Sequence, residues 1–193
     1  MKISQTSIPG VVILEPRVFG DNRGWFSESW NEQTLRALGL DVHFVQDNES
    51  FSRRGVLRGL HFQKGEAAQA KLVRVLSGEV LDVAVDLRSG SPTFGRHVAV
   101  RLSDQNHRQL FIPKGFAHGF VVLSKTAHFS YKCDAFYAPE TEGSVYALDP
   151  ELGIDWEVPE NEQIFSEKDK VAPRFSLYRE SPDFFFNGQE RKR

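Results

Sequence analysis

The amino-acid sequence predicts an all-β fold, a sandwich or barrel decorated by a few short helices. Three observations predict it. Ten short segments rich in β-branched and aromatic residues recur at nearly even spacing, turn signals separate them, and helical periodicity is confined to two brief stretches.

In chain order the strand segments are VVILEPRVF (11–19), GWFSESW (24–30), FVQDNESF (44–51), GVLRGLHFQ (55–63) and KLVRVLS (71–77). They continue with EVLDVAVDL (79–87), HVAVRL (97–102), RQLFIP (108–113), GFVVLS (119–124) and HFSYKC (128–133). Ser-Gly before Glu79, RSGSPTFG at 88–95, PKG at 113–115 and APETEG at 138–143 mark the turns. One helix is expected in NEQTLRALGL, where Asn31 can cap, Leu35, Leu38 and Leu40 form an apolar side and Gly39 can end it. A second is expected near Ser166, whose SEKD run sets a good N-cap residue before acids of the first turn. In the tail, SPDFFFNGQERKR, the phenylalanines are expected to pack and the end to fray, with the frayed part at about 181–193.

At 193 residues the chain is expected to form a single domain spanning 1–193. A hydrophobic share of 40%, a charged share of 26% and a formal net charge of −2 are ordinary for a globular protein, and such a charge names no partner. Neither a nucleic-acid nor a membrane partner is expected. The lone Cys133 excludes an intramolecular disulfide and a cysteine-based zinc cluster, which favours a reducing compartment. The N-terminal apolar run is too short for a signal peptide, and no stretch approaches the roughly 20 apolar residues of a membrane span. Cytoplasmic location is the expectation.

Candidate chemistry begins at GLHFQ, where strict alternation puts Leu57, Gly59, His61 and Gln63 on one face. Lys71 opens a strand whose inward set is Lys71, Val73 and Val75, and Asp82 and Tyr131 lie on other strands among apolar neighbours. A lysine, an aspartate, a tyrosine and a histidine facing one cavity would make a proton-transfer site, because buried ionisable groups are costly and are usually paired or functional. Asp82 is expected beside Lys71. Six basic residues, Arg53, Arg54, Arg58, Lys64, Lys71 and Arg74, crowd the stretch 51–75 against one acid, Glu66, and suit a phosphate or diphosphate ligand; a solvated basic face is the bland alternative. Alternation places Arg58 opposite His61, so either Gly59 marks a bulge or Arg58 serves a ligand from another direction.

PKGFAHGF holds Pro113, Gly115 and His118 in the spacing P-x-G-x-x-H, which resembles the second motif of the cupin β-barrels. In metal-binding cupins that histidine joins an H-x-H pair. Here the first segment reads HFQ, with Gln63 in place of a second histidine, so no metal is expected. His43, His97, His107 and His128 have no partner at ligand spacing, and Cys133 reads as a small core residue.

PRVFGDNRGWFSESW, FVQDNESFSRRGVLRGLHFQ, KLVRVLSGEVLDVAVDLRSGSPTFG, FIPKGFAHGFVVLS, YKCDAFYAPETEG and DPELGIDW with SEKD together resemble the dTDP-4-dehydrorhamnose 3,5-epimerases, over roughly residues 9–170 in order. The resemblance implies a cupin-type β-barrel or jelly roll. It implies an enzyme without cofactor that inverts carbons three and five of dTDP-4-keto-6-deoxy-D-glucose, giving dTDP-4-keto-L-rhamnose. It also implies that His61 is the base, oriented by Asp169, that Tyr131 is the acid on the other face of the sugar, and that Lys71 meets the enolate oxygen. Arg23, Glu28, Gln46, Asn48, Arg58, His118, Glu142 and Lys168 match positions contacting the nucleotide sugar, and Tyr137 matches the aromatic that stacks on thymine. A homodimer is implied, with Arg23 and Glu28 reaching the partner's site.

The chain departs from that pattern at Phe62, where the family commonly has tyrosine, at GEAAQ (65–69), and in the tail after Phe175. Three other readings compete: a relative inverting one carbon, a silent sugar-binding cupin, and a metal-dependent cupin oxygenase. Retention of His61 and Tyr131 argues against the second, and the missing H-x-H against the third.

Overall fold

A computed structural model describes residues 1–186 and shows two facing sheets with short helices at their margins. The strands are β1 (Lys2–Gln5), β2 (Val12–Glu15), β3 (Val18–Asp21), β4 (Gly24–Ser27), β5 (Gln46–Arg53), β6 (Leu57–Gln63), β7 (Lys71–Ser77) and β8 (Glu79–Asp86). They continue as β9 (Arg88–Ser89), β10 (His97–Ser103), β11 (Gln109–Ile112), β12 (Phe116–Val122), β13 (Thr126–Cys133), β14 (Glu142–Ser144) and β15 (Phe184–Phe185). The helices are α1 (Glu32–Ala37), α2 (Glu167–Lys170) and α3 (Phe175–Glu180). One sheet runs β1-β2-β11-β7-β13-β5 and the other β10-β8-β12-β6-β14. This is the sandwich that the strand spacing predicts, of the jelly-roll type that the resemblance implies.

Alternation explains the layers. Val73 and Val75 of one sheet meet Val80, Ala84, Phe120 and Val122 of the other in a core between the sheets, where Phe129 is 1% exposed. The opposite faces of β8 and β12, with Leu81, Val83, Val85, Ala117 and Val121, are also buried, because the chain after β14 folds over them with Trp156, Val158, Phe175 and Tyr178. Central strands covered on both sides read as continuous apolar runs, and EVLDVAVDL is such a run. Asp82, a polar residue within that run, shares the parity of Val80 and Ala84 and faces the inter-sheet space.

Differences from the sequence-based elements have local causes. The segment 11–19 divides into β2 and β3 at Pro16, which has no N–H to donate to a ladder. Strand β12 begins at Phe116, earlier than the expected Gly119, which places His118 on a strand. The α1 helix forms as expected, with the Asn31 side chain accepting from the Thr34 N–H. It ends through Gly39, at φ 88°, while Leu40 N–H donates to Leu35 O and Gly39 N–H to Arg36 O, a Schellman closure.

The tail phenylalanines pack as expected. Of the stretch about 181–193 in which fraying was expected, the described part, to Phe186, is tied down, and residues 187–193 lie outside the described residues. Strand β15 pairs in parallel with β9, Phe184 meets Phe62 edge-on at 5.6 Å, and the Tyr178 hydroxyl accepts from the N–H groups of Asp183 and Phe184. Three phenylalanines carry enough apolar surface to hold a terminus against its entropy. Phe184→Ala is expected to cost about 2 kcal/mol, roughly half of a core Phe truncation because the ring is half-buried, and thermal unfolding should show a Tm lower by roughly 4–8 °C.

Candidate active site

At one end of the inter-sheet space lies a cavity of about 500 Å³. Asn48, Arg58, His61, Lys71, His118, Tyr131, Lys168 and Asp169 reach it, above apolar walls that include Phe120, Phe129, Ile164 and Phe165. His61 comes from the five-stranded sheet and Tyr131 and Lys71 from the six-stranded one, so histidine and tyrosine face a ligand from opposite sides.

Strand β6 is bulged, and this places two of the groups. His118 of β12 pairs with His61 and Phe120 pairs with Arg58, so two steps of β12 span three steps of β6. One extra residue reverses the side-chain parity, and Arg58 joins His61 on the cavity side despite its odd spacing. Gly59 permits the bulge: its φ is 128°, and a Cβ there would fall 2.5 Å from the Gly119 Cα. Arg58 sits at the rim, its Nε donating to Ser52 Oγ at 3.2 Å.

Asp169 arrives from 108 residues along the chain. Ile164 N–H donates to Gly55 O and Leu57 N–H to Ile164 O, which straps the segment before α2 alongside β6. The Ser166 hydroxyl accepts from the Asp169 N–H, starting α2 so that Asp169, 3% exposed, turns inward. His61 Nε2–H donates to Asp169 Oδ1 at 2.5 Å. Burial would raise the Asp169 carboxyl, but hydrogen bonds from His61 and Ser166 and the charges of His61 and Lys168 outweigh it and hold the group below the usual aspartate range. The carboxylate stays ionised. It fixes the imidazole tautomer, and Nδ1 of His61 has no protein partner among the described residues.

Lys71 stands directly opposite Cys133 on the neighbouring strand, and its Nζ lies 5.7 Å from the centre of the Tyr131 ring. Burial lowers the ammonium's pKa, opposed by Cys133 and by the carboxylates of Asp82 and Glu142. The Tyr131 hydroxyl is pushed up, first by burial and then by Cys133, which keeps it protonated. Burial also raises the Cys133 thiol to about 11, against the pull of Lys71, so it is an inert core thiol at neutral pH.

Beside this centre runs a polar chain. Gln46 Nε2 donates to Asn48 Oδ1 at 3.0 Å, and Gln46 Oε1 accepts from the Tyr137 N–H at 2.9 Å. The Tyr137 hydroxyl donates to Glu142 at 2.9 Å, and Glu142 pairs with Lys168. Burial would raise the Glu142 carboxyl, but bonds from Lys168 and Tyr137 bring it below its ordinary value. Tyr137, 51% exposed, presents its ring to solvent, as a platform for a flat base would.

Some expectations separate here. Of the six basic residues in 51–75, only Arg58 and Lys71 line the cavity. Arg54 is held by Leu123 O and Glu162, Lys64 pairs with Asp183 at 3.6 Å, and Arg74 lies in a different depression with Trp30 and Lys132. Asp82 bonds to His118 at 2.9 Å and not to Lys71, because β8 and β12 are adjacent while Lys71 belongs to the other sheet. Gln63 is spent on structure, its Oε1 accepting from Ala138 N–H and Thr141 Oγ1. His43 and His128 pair with Glu32 and Glu49. Neither Arg23 nor Glu28 lines the cavity: Arg23 pairs with Asp21 on the β3–β4 ribbon, and Glu28 accepts from Asn31 and Thr34. Phe120 and Phe129, stacked at 4.1 Å, form cavity walls absent from the sequence-based site, and the signal for them is inward alternation with His118 and Tyr131.

The sequence profile of the dTDP-4-dehydrorhamnose 3,5-epimerases matches residues 5–176. A relative of that name from Salmonella typhimurium is 56% identical over 174 residues, covering 90% of this chain and 94% of its own length. The crystal structure of dTDP-6-deoxy-D-glucose-3,5-epimerase from Legionella pneumophila in complex with dTDP-4-keto-L-rhamnose is 50% identical with a TM-score of 0.91, covering 96% of this chain and 98% of that one. A 3′-monoepimerase from Streptomyces bikiniensis in complex with dTDP-quinovose shares 36% identity with a TM-score of 0.84, over 91% and 88% of the two chains. With a profile matched over most of its length and a relative more than half identical, the chain belongs to the dTDP-4-dehydrorhamnose 3,5-epimerase family.

Proposed function

We propose that this protein converts dTDP-4-keto-6-deoxy-D-glucose to dTDP-4-keto-L-rhamnose by inverting carbons three and five. The observation that carries the mechanism is the His61–Asp169 pair at 2.5 Å facing Tyr131 across a cavity that also holds Lys71. Carbons three and five both flank the carbon-four ketone, so one enolate-forming apparatus serves each. His61 removes the proton, and Asp169 stabilises the imidazolium. Lys71 meets the charge that develops on the carbon-four oxygen, where a buried cation acts most strongly. Tyr131 returns a proton from the opposite sheet, and His61 and Tyr131 are reset through solvent. Tyr137, Gln46, Asn48, Glu142, Lys168, Arg58 and His118 hold the nucleotide and sugar. The greater identity to 3,5-epimerases, 56% against 36% to the 3′-monoepimerase, favours two inversions.

The functional unit in this reading is a homodimer. The β3–β4 ribbon carries Phe19, Trp25 and Phe26 at 51%, 63% and 69% exposure, an apolar edge suited to a second copy, and Arg23 and Glu28 would then complete the partner's cavity. A nucleotide-sugar substrate and a lone reduced cysteine support the cytoplasm as its site of action.

The test is direct. Chelator-treated protein incubated with dTDP-4-keto-6-deoxy-D-glucose should give dTDP-4-keto-L-rhamnose by NMR, at the same rate as untreated protein. Unchanged substrate would overturn the assignment.

A further inference from the structure

Asp82 is the most deeply buried carboxylate near the cavity, at 0% exposure, and is not among the residues assigned a role above. Its Oδ2 accepts from His118 Nε2–H at 2.9 Å, while its Oδ1 is buried without a hydrogen-bond partner among the described residues. A carboxylate in an apolar core is costly unless it does something, and an unspent oxygen raises the cost. His118, 7% exposed, lines the cavity and pairs in register with His61. With Nε2 committed to Asp82, only Nδ1 is left, and it has no protein partner among the described residues.

We infer that Asp82 is a positioning residue for the epimerisation: it locks the His118 ring so that Nδ1 is the polar atom offered to the sugar. The inference rests on the epimerase reading and deepens it. The cavity thus holds two carboxylate–imidazole pairs on neighbouring strands, His61–Asp169 for the proton and His118–Asp82 for the placement of the ring that loses it. The locking works by geometry: the ring can satisfy Asp82 only through Nε2, so an uncharged His118 exists as one tautomer. A sugar held by the wrong nitrogen is displaced from His61, and a displacement of about 1 Å costs on the order of 10²-fold in rate.

The test combines imidazole ¹⁵N spectra with the kinetics of Asp82→Asn. In the unsubstituted protein His118 Nε2 should carry a proton. In Asp82→Asn, whose amide can donate to the ring, that preference should be lost. The rate constant kcat should then fall about 10²-fold while dTDP affinity stays within twofold, since the residues proposed to hold the nucleotide lie along the separate Gln46–Tyr137–Glu142–Lys168 chain. In a His118→Gln background the Asp82 change should add less than twofold, as expected of a residue acting through His118. A bare Nε2 in the unsubstituted protein, or a kcat for Asp82→Asn within threefold of it, would overturn the inference. If Asp82→Asn fails to fold, the unsubstituted spectrum decides alone. Absence of turnover by the unsubstituted protein would remove the epimerase reading, while the same spectrum still reports the ring's orientation.

Discussion

His61→Ala is expected to lower kcat by about 10⁴-fold, the upper range for loss of a positioned base, and to leave dTDP affinity within twofold. No neighbouring group can replace it. Asp169, its partner, is 3% exposed and held by Ser166, and the next imidazole, His118, is committed to Asp82. The substitution removes a side chain from a half-buried position at the cavity edge, so stability should change little. Single-turnover kinetics with isothermal titration of dTDP check both parts: a loss of nucleotide binding equal to the loss of rate would make His61 a binding residue and contradict its role as base.

Lys71→Met is the second large effect, a loss of about 10²- to 10³-fold in kcat with KM nearly unchanged, as expected where a cation meets charge present only in the transition state. Methionine keeps the length and removes the charge. Because burial already disfavours the ammonium, thermal unfolding of the variant should be unchanged or raised, since removing a costly buried charge relieves the fold. A variant with raised KM and unaltered kcat would assign Lys71 to ground-state binding.

These two residues illustrate what the chain discloses before folding. The inward facing of Lys71 followed from simple alternation through Val73 and Val75, and β7 is regular, so the reading held. Arg58 and His61 could not be placed by alternation, because a bulge reverses parity and the only hint is a glycine. Asp169 was beyond reach of periodicity altogether. Its position depends on a strap of two backbone bonds to residues 55 and 57, a non-local event that leaves no spacing in the sequence, and family resemblance alone pointed to it. Asp82 was legible as an inward polar residue near Lys71, and its charge does act on that ammonium, but its hydrogen bond goes to His118, since sheet order sets β8 against β12 and not β7. In the tail the packing of the Phe184 to Phe186 run was legible from its apolar surface, but not its seat on Phe62 and Arg88, which the fold brings together.

The proposed reaction removes a proton at each of two carbons and returns one from solvent-exchanged groups. Carrying the reaction out in heavy water and reading the product by NMR tests it most directly. One deuterium at carbon three and one at carbon five of the dTDP-4-keto-L-rhamnose formed are expected. Product formed without deuterium at either carbon, or with deuterium at one only, would contradict the proposed reaction.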